Sequence, residues 1–70
     1  MKPAVHSDPE IMSGTPVFVG TRVPIQTLFD YIEAGQPLAE FLKDFPTVSK
    51  ELAIAALEQA KDELLSRIRP

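Results

Sequence analysis

The 70-residue chain contains no cysteine and no tryptophan, and it has one histidine and three glycines. Without cysteine there is no disulfide framework, no thiolate catalysis and no cysteine-ligated zinc. The single histidine, His6, has no acidic pair at ligand spacing, so we expect no metal site. Gly14, Gly20 and Gly35 lie too far apart to form a phosphate-cradling loop. We therefore expect a protein that is not an enzyme and holds no cofactor.

Basic residues and long apolar runs are also scarce. Seven Lys and Arg residues stand against ten Asp and Glu residues, which gives a formal net charge of -3 at pH 7. A domain that coats nucleic acid by charge alone is basic, so a partner attracted by the overall field of this chain is expected to be basic. No apolar run approaches the ~18 residues that cross a bilayer, and residues 1–12 lack the apolar core of a secretory signal. We expect a cytoplasmic protein that does not span a membrane.

The composition that is present predicts a small folded domain. Hydrophobic residues make up 44% of the chain, close to the share in globular domains. One core of this size supplies only about 3–5 kcal/mol of net stability, so we expect support from a second copy in a homodimer. Residues 1–70 form one domain, in which we separate an N-terminal segment (1–15), a β-hairpin (16–24) and a three-helix bundle (25–69).

The β-hairpin is predicted between Pro16 and Pro24, where β-branched and aromatic residues flank Gly20 and Thr21. A glycine in the first position of a two-residue loop favours a type II′ turn, because that position needs a positive φ. The two prolines lack an amide N–H and therefore bound the strands. Two short strands alone are barely stable in water, so the hairpin has to pack on helices or pair with a second hairpin.

Three amphipathic helices are predicted after the hairpin. Apolar residues at i, i+3, i+4 and i+7 predict a first helix over about 25–34, with Gly35 as its stop. The same spacing predicts a second helix over 38–45, which Pro46 ends. Ser49 is a favourable N-cap for a third helix over 50–69. One side of that helix collects Ala53, Ile54, Leu57, Ala60, Leu64, Leu65 and Ile68.

The third helix is longer than the other two and is expected to overhang them. Twenty residues span ~30 Å, against ~15 Å for each earlier helix. An apolar overhang on a small domain usually marks an interface, although the hairpin or the Ile11-Met12 segment folding back over it is an equal alternative. The candidate partner or dimer contacts are Val17, Phe18, Val19, Gly20, Thr21, Arg22, Leu64, Leu65 and Ile68.

The second and third helices, joined by residues 46–49, have the outline of a helix-turn-helix unit. We take Lys43, Ser49 and Lys50 as candidate DNA-contacting residues, since recognition helices offer hydrogen-bond donors from their first turns. The negative charge of Glu51 opposes this small positive charge, so the sequence evidence for DNA binding is weak. Many three-helix bundles share the outline without binding DNA.

Arg22 is the only basic residue between Lys2 and Lys43, and it follows the turn of the hairpin directly. A rigid turn at this position can present the guanidinium to a carboxylate or a phosphate on a partner. The alternative is an ion pair within the chain. The acidic residues that we consider for this pair are Asp8, Glu10 and Asp30.

The order of these signals resembles the small prokaryotic family called domain of unknown function 433. The signals are the run 8–24 with its Gly-Thr-Arg-Val-Pro element, a helix to Gly35, Phe45-Pro46, and Ser49-Lys50-Glu51. The match spans roughly Asp8 to Leu65. The resemblance implies a mainly helical, homeodomain-like three-helix fold preceded by a β-hairpin.

The same resemblance implies a VapB-like antitoxin role beside a PIN-like nuclease toxin. We therefore interpret the chain as a non-catalytic antitoxin that neutralises a toxin protein and autoregulates through its helix-turn-helix unit. The family implies no task for the turn at Gly20, Thr21 and Arg22. Pro46-Thr47 stands where such turns often carry glycine, which departs from standard DNA docking. Two alternatives stay open, a stand-alone DNA-binding regulator and a purely structural dimerisation module.

Overall fold

A computed structural model of the protein describes residues 2–68. It contains a two-stranded antiparallel sheet followed by three helices, which confirms the predicted fold class. The elements are β1 (Val5–His6), β2 (Val17–Phe18), α1 (Ile25–Glu33), α2 (Leu38–Asp44) and α3 (Lys50–Ile68).

The ends of the helices are fixed by local hydrogen bonds, close to where the sequence predicts them. After α1, the amide of Gly35 donates to the Ile32 carbonyl and the amide of Gln36 donates to the Tyr31 carbonyl, which is a Schellman motif with Gly35 at φ +79°. At the start of α3, the hydroxyl oxygen of Ser49 accepts the Leu52 N–H at 3.0 Å, as the N-cap prediction requires. The predicted last residue of this helix, position 69, lies outside the described residues.

The two strands of the sheet are not the two that the sequence analysis places between Pro16 and Pro24. β2 pairs with β1, with Val5 opposite Phe18 and His6 opposite Val17. The segment after β2 folds back, but it makes a single bridge between Val17 and Pro24. Pro24 has no amide N–H to continue a ladder there, so the second strand comes from the N-terminal segment.

The turn after β2 also lies one residue earlier than expected. The amide of Thr21 donates to the Phe18 carbonyl at 3.0 Å, which puts Val19 and Gly20 at the centre of the turn. Gly20 has φ +78° and occupies the third position, where a type II turn needs a positive φ. The predicted type II′ turn is therefore wrong, because the glycine is the second of the two central residues and not the first.

An aromatic cluster fills the core between the sheet and the helices. The ring of Phe41 lies 5.8 Å from that of Phe18, 5.5 Å from that of Tyr31 and 5.1 Å from that of Phe45, measured between centroids. The buried core residues are Ala4, Val17, Phe18, Leu28, Phe41, Val48, Ala53 and Ala56. An aromatic pair of this kind contributes about 0.5–1.5 kcal/mol beyond the area it buries.

The buried face of α3 is rotated relative to the predicted one. Ala56, which the sequence analysis does not place on that face, is buried together with Ala53, whereas Ile54 is 42% exposed. The small alanine side chains let α3 approach β2 and the aromatic cluster closely, and a β-branched side chain at this contact would hold the helix further away.

Among the helices described, none is long and apolar enough to cross a membrane.

Candidate functional site

An open groove of about 620 Å³ lies beside the turn that follows β2. Four stretches of chain form its walls: β1, the segment before a short 3-10 turn (Met12–Gly14), the stretch after β2, and the connection between α2 and α3. The lining residues are His6, Ile11, Gly20, Thr21, Arg22, Val23, Pro24, Phe45 and Thr47. The Gly-Thr-Arg-Val-Pro element thus forms one whole side of the groove.

Thr21 holds this side of the groove in shape. Its hydroxyl donates to the Phe18 carbonyl at 2.9 Å and accepts the Val23 N–H at 3.0 Å. The Phe18 N–H in turn donates to the Val23 carbonyl at 2.9 Å. These three bonds fix the backbone on both sides of Arg22, so the position of its Cα is set before any ligand arrives.

The guanidinium of Arg22 has no partner within residues 2–68. Its side chain is exposed, and none of the ion pairs or hydrogen bonds of the described chain involves it. The pairs with Asp8, Glu10 or Asp30 do not form. Asp8 instead accepts the Glu10 N–H, and Asp30 accepts a hydrogen bond from Gln26. The positive charge of Arg22 therefore remains available at the edge of the groove.

Two of the predicted contact residues lie in the interior of the chain. The side chains of Val17 and Phe18 are fully buried at 0% exposure, because β2 is covered by β1 on one side and α3 packs on it. They offer no surface to a partner, contrary to their prediction as contact residues. Val19, by contrast, is exposed at the turn, next to Gly20 and Thr21.

The apolar end of α3 is uncovered in the single chain. Leu64 is 60% exposed, Ile68 is 69% exposed and Leu65 is 38% exposed. Ile11 lines the groove and Met12 is itself exposed, so neither of them serves as a cover for this end. The end of α3 is thus the overhang that the sequence predicts, without a cover from residues 2–68.

The candidate DNA-contacting residues lie at the connection between α2 and α3. Ser49 caps α3, and Lys43 and Lys50 are exposed, without an ion pair in the described part of the chain. None of the three lines the groove, although Thr47 of the same connection does. Asp44 follows Lys43 and Glu51 follows Lys50, so each lysine has an acidic neighbour in sequence.

A second hollow, of about 450 Å³, is acidic and was not anticipated from the sequence. Asp30 of α1 and the pair Glu40 and Asp44 of α2 line it, and the spacing of that pair by four residues was a signal that both share a helix face. The Tyr31 hydroxyl donates to Asp44 at 2.6 Å. This hydrogen bond, together with partial burial and the nearby carboxylates of Asp44 and Glu40, raises the pKa of Tyr31 above its ordinary value of 10.0.

The described residues define a small three-helix domain with an N-terminal β-ribbon, an open groove and an uncovered helix end. Within residues 2–68, no three His, Asp or Glu side chains come together as metal ligands would. The family model described as protein of unknown function (DUF433) matches residues 5–60. The chain belongs to this family.

The chain is similar to one solved structure of a member of that family and to one uncharacterised protein sequence. A crystal structure of a DUF433 member protein from Anabaena variabilis superposes with a TM-score of 0.71 and is 27% identical, covering 91% of this chain and 65% of the other. The uncharacterised protein y4eO of Sinorhizobium fredii is 33% identical over 66 residues, which is 93% of this chain and 30% of that protein. The chain thus spans just under two thirds of the first relative and less than a third of the second.

Proposed function

We propose that this protein is a non-catalytic, dimeric binding protein of the cytoplasm that neutralises a partner protein, a PIN-like nuclease toxin, by covering it. The observation that carries the proposal is the uncovered apolar end of α3, with Leu64 and Ile68 more than half exposed. Contiguous exposed apolar surface on a small domain is typical of a protein interface. A protein that acts by steric cover needs no catalytic groups of its own.

The exposed apolar residues of α3 form a stripe suited to a second copy of the same helix. Ile54, Leu57, Lys61, Leu64 and Ile68 follow one another at intervals of three, four, three and four residues, the a and d spacing of a coiled coil. Of these, Ile54, Leu64 and Ile68 are the exposed apolar members, and Leu57 is half-buried against the core. The Lys61 ammonium lies 3.0 Å from the carboxylate of Glu58 on its own helix, so mainly its aliphatic stem contributes to the stripe. Two such stripes related by a two-fold axis would cover each other.

The charge of the domain favours a basic partner for the remaining surface. The chain carries a net charge of -3, and Asp30, Glu40 and Asp44 gather in one hollow between α1 and α2. A field of one sign speeds association with a surface of the opposite sign and disfavours partners of like charge. A nuclease that binds nucleic acid presents such a basic surface.

Sedimentation velocity tests the dimer. We expect a dimer for the unaltered chain and a monomer for the double variant L64S and I68S, because two large apolar side chains leave the stripe. The matched control is I32S, which removes an equally large side chain that is 44% exposed on α1. A folded monomer of the unaltered chain at high concentration would contradict the dimer.

Co-expression with the product of the adjacent reading frame tests neutralisation. We expect the two proteins to purify together and the partner to lose its cleavage of a labelled RNA. Full nuclease activity in the presence of excess of this chain would refute the antitoxin role and leave a structural dimerisation module.

Autoregulation through DNA is the second part of the proposal. It is favoured by the side chains of Lys43 and Lys50, which are exposed and make no ion pair with the described residues. The logarithm of the DNA-binding constant falls linearly with the logarithm of the salt concentration. Each DNA phosphate that a protein neutralises makes the slope of this line steeper by roughly 0.9. The variant K43Q with K50Q is therefore expected to bind operator DNA with a slope shallower by about 2 per protomer. Binding that is insensitive to salt, or unchanged in this variant, would argue against DNA contact by these lysines.

A further inference from the structure

We propose that the groove beside Arg22 binds an extended peptide that carries a carboxylate next to a large apolar side chain. This inference deepens the proposed function and rests on it in one respect: the peptide is a surface segment of the protein that is captured. The carboxylate and the apolar side chain are the groups by which the groove selects that segment, and neither the overhang of α3 nor the net charge defines them.

Charge complementarity identifies the anionic part of the ligand. Arg22 is the one Lys or Arg residue among the described residues that line the groove, and no Asp or Glu is among them. Its guanidinium has no partner within residues 2–68. A guanidinium offers a planar fork of N–H donors that matches the two oxygens of a carboxylate. An acidic chain that keeps one unpaired arginine beside an apolar wall is suited to receive one such group.

The rest of the lining identifies the apolar part of the ligand. Ile11, Val23, Pro24 and Phe45 provide hydrocarbon surface, and Phe45 is held by the aromatic cluster of the core. The volume of about 620 Å³ lies within the range of roughly 300–1,000 Å³ that is common for ligand sites. A large aliphatic or aromatic side chain fits such a surface.

The shape of the groove favours a peptide over a small molecule or a nucleic acid. Sites for small molecules enclose most of the ligand surface, whereas this groove is open to solvent, so a chain can enter and leave it. The side chains of His6 and Thr47 make no hydrogen bond within the described residues and stand ready for a peptide backbone. A phosphate backbone would need several cations in a row, but Lys43 and Lys50 lie outside the lining.

The bonds around Thr21 make the site ready for binding. Because the backbone on both sides of Arg22 is fixed by the Thr21 hydroxyl and by the Phe18 to Val23 bond, this stretch of backbone does not have to be ordered on binding. A site that is formed before the ligand arrives loses less conformational entropy. The Gly-Thr-Arg-Val-Pro element therefore forms part of a preorganised binding site in addition to making a turn.

The test uses the 70-residue chain and a capped pentapeptide, Ser-Leu-Asp-Phe-Ser, and follows binding by the amide chemical shifts of the protein in NMR. We expect saturable shifts at the lining residues. The peptide with Asn in place of Asp should bind about tenfold more weakly, because it keeps the shape and loses the charge. Shifts that are absent, that fall elsewhere, or that are equal for both peptides would overturn the inference.

The variant R22Q supplies the matched change on the protein. It should weaken binding of the Asp peptide about tenfold and leave binding of the Asn peptide nearly unchanged. K43Q removes the same charge outside the groove and should change either affinity less than about twofold. Since the Arg22 guanidinium has no partner in the described chain, R22Q should also melt like the unaltered protein. Equal losses in R22Q and K43Q would show a general effect of charge and overturn a site at Arg22.

Two further experiments are needed. The first distinguishes a peptide from a small molecule as the ligand, and the second distinguishes the groove proposal from the proposed neutralisation of a nuclease. Tighter binding of octanoate than of the peptide would identify a small-molecule site and overturn the peptide. An R22Q chain that still neutralises the nuclease with unchanged affinity would overturn the groove inference while the proposed function stands. A peptide that binds as expected to a chain that does not affect the nuclease would uphold the groove and refute the nuclease as its partner.

Discussion

Gln59 of α3 holds the backbone of Ala4, 55 positions earlier in the sequence. Its side-chain oxygen accepts the Ala4 N–H at 2.9 Å, and its amide nitrogen donates to the Lys2 carbonyl, also at 2.9 Å. The side-chain amide thus satisfies one backbone N–H and one backbone C=O just before β1, as a neighbouring strand would do. Because β1 covers β2 and lines the groove through His6, this contact connects α3 to the candidate site.

The variant Q59A is expected to release the N-terminal segment from α3. The loss of the hydrogen bonds to Ala4 and Lys2, the first of them partly buried, should lower the free energy of unfolding by about 1–2 kcal/mol. Urea denaturation measures this loss, and hydrogen exchange at Ala4 should become faster than in the unaltered chain. The surface variant S66A is the control, because Ser66 is exposed on the same helix and its hydroxyl makes no hydrogen bond within residues 2–68. Unchanged exchange at Ala4 would show that β1 is held by other contacts.

The hydrogen bond from Tyr31 to Asp44 predicts a dependence of stability on alkaline pH. The protonated hydroxyl is the donor, and its pKa is raised in the folded chain. The stabilisation is therefore complete below the ordinary pKa of 10.0 and is lost as the pH rises through the raised pKa. Because the chain has one tyrosine and no tryptophan, absorbance of tyrosinate reports this group alone. We expect the pH midpoint of the Tyr31 titration to lie above 10.0 in the folded protein and to be lower in the variant D44N. Equal midpoints in the two proteins would contradict the effect of Asp44 on the Tyr31 pKa.

Phe41 should be among the most sensitive positions of the core. It is fully buried and contacts the rings of Phe18, Tyr31 and Phe45. F41A should cost about 3–5 kcal/mol, which is comparable to the whole net stability of a domain of this size. We expect loss of the cooperative thermal transition in circular dichroism, and a smaller loss in F41L. A normal melt of F41A would mean that the aromatic cluster is not the main core.

Gly20 tests the conformational requirement of the turn. Its φ of +78° is unfavourable for other L-residues, while a Cβ built there meets no atom within 4 Å. G20A should therefore cost about 1–2 kcal/mol through backbone strain alone. G20N should cost less, because asparagine tolerates this region better than alanine. Denaturation curves of the two variants measure the difference, and equal stability of G20A and the unaltered chain would contradict a strained turn.

The helices of this fold could be predicted because their signals lie close together in sequence. The stop at Gly35, the break at Pro46 and the cap at Ser49 each act on backbone groups within a few residues. The overhang of α3 followed from length, since a helix of nineteen residues extends beyond helices of nine and seven. Length did not decide whether another segment of the chain covers this end, and the exposure of Leu64 and Ile68 became visible only in the structure.

The candidate site could be predicted in part. Arg22 stands out because it is the only basic residue in a long stretch, but nothing local separates an internal ion pair from a free guanidinium. Ile11, Phe45 and Thr47 were missed as groove residues, since they come together only when α2, the N-terminal segment and the turn pack on one another. Gly20, Thr21 and Arg22 were predicted as contact residues, without a groove, and the structure places all three in its lining.

The sequence by itself determined the helices, their approximate ends, the presence of a tight turn near Gly20 and the acidic charge of the domain, because these depend on neighbours along the chain and on composition. Only the tertiary structure decided that Val5 pairs with Phe18, that Ala53 and Ala56 mark the buried face of α3, and that Arg22 is left without a partner among residues 2–68. Those features depend on which surfaces fit at close range, and packing distances between remote segments are not encoded in any local pattern.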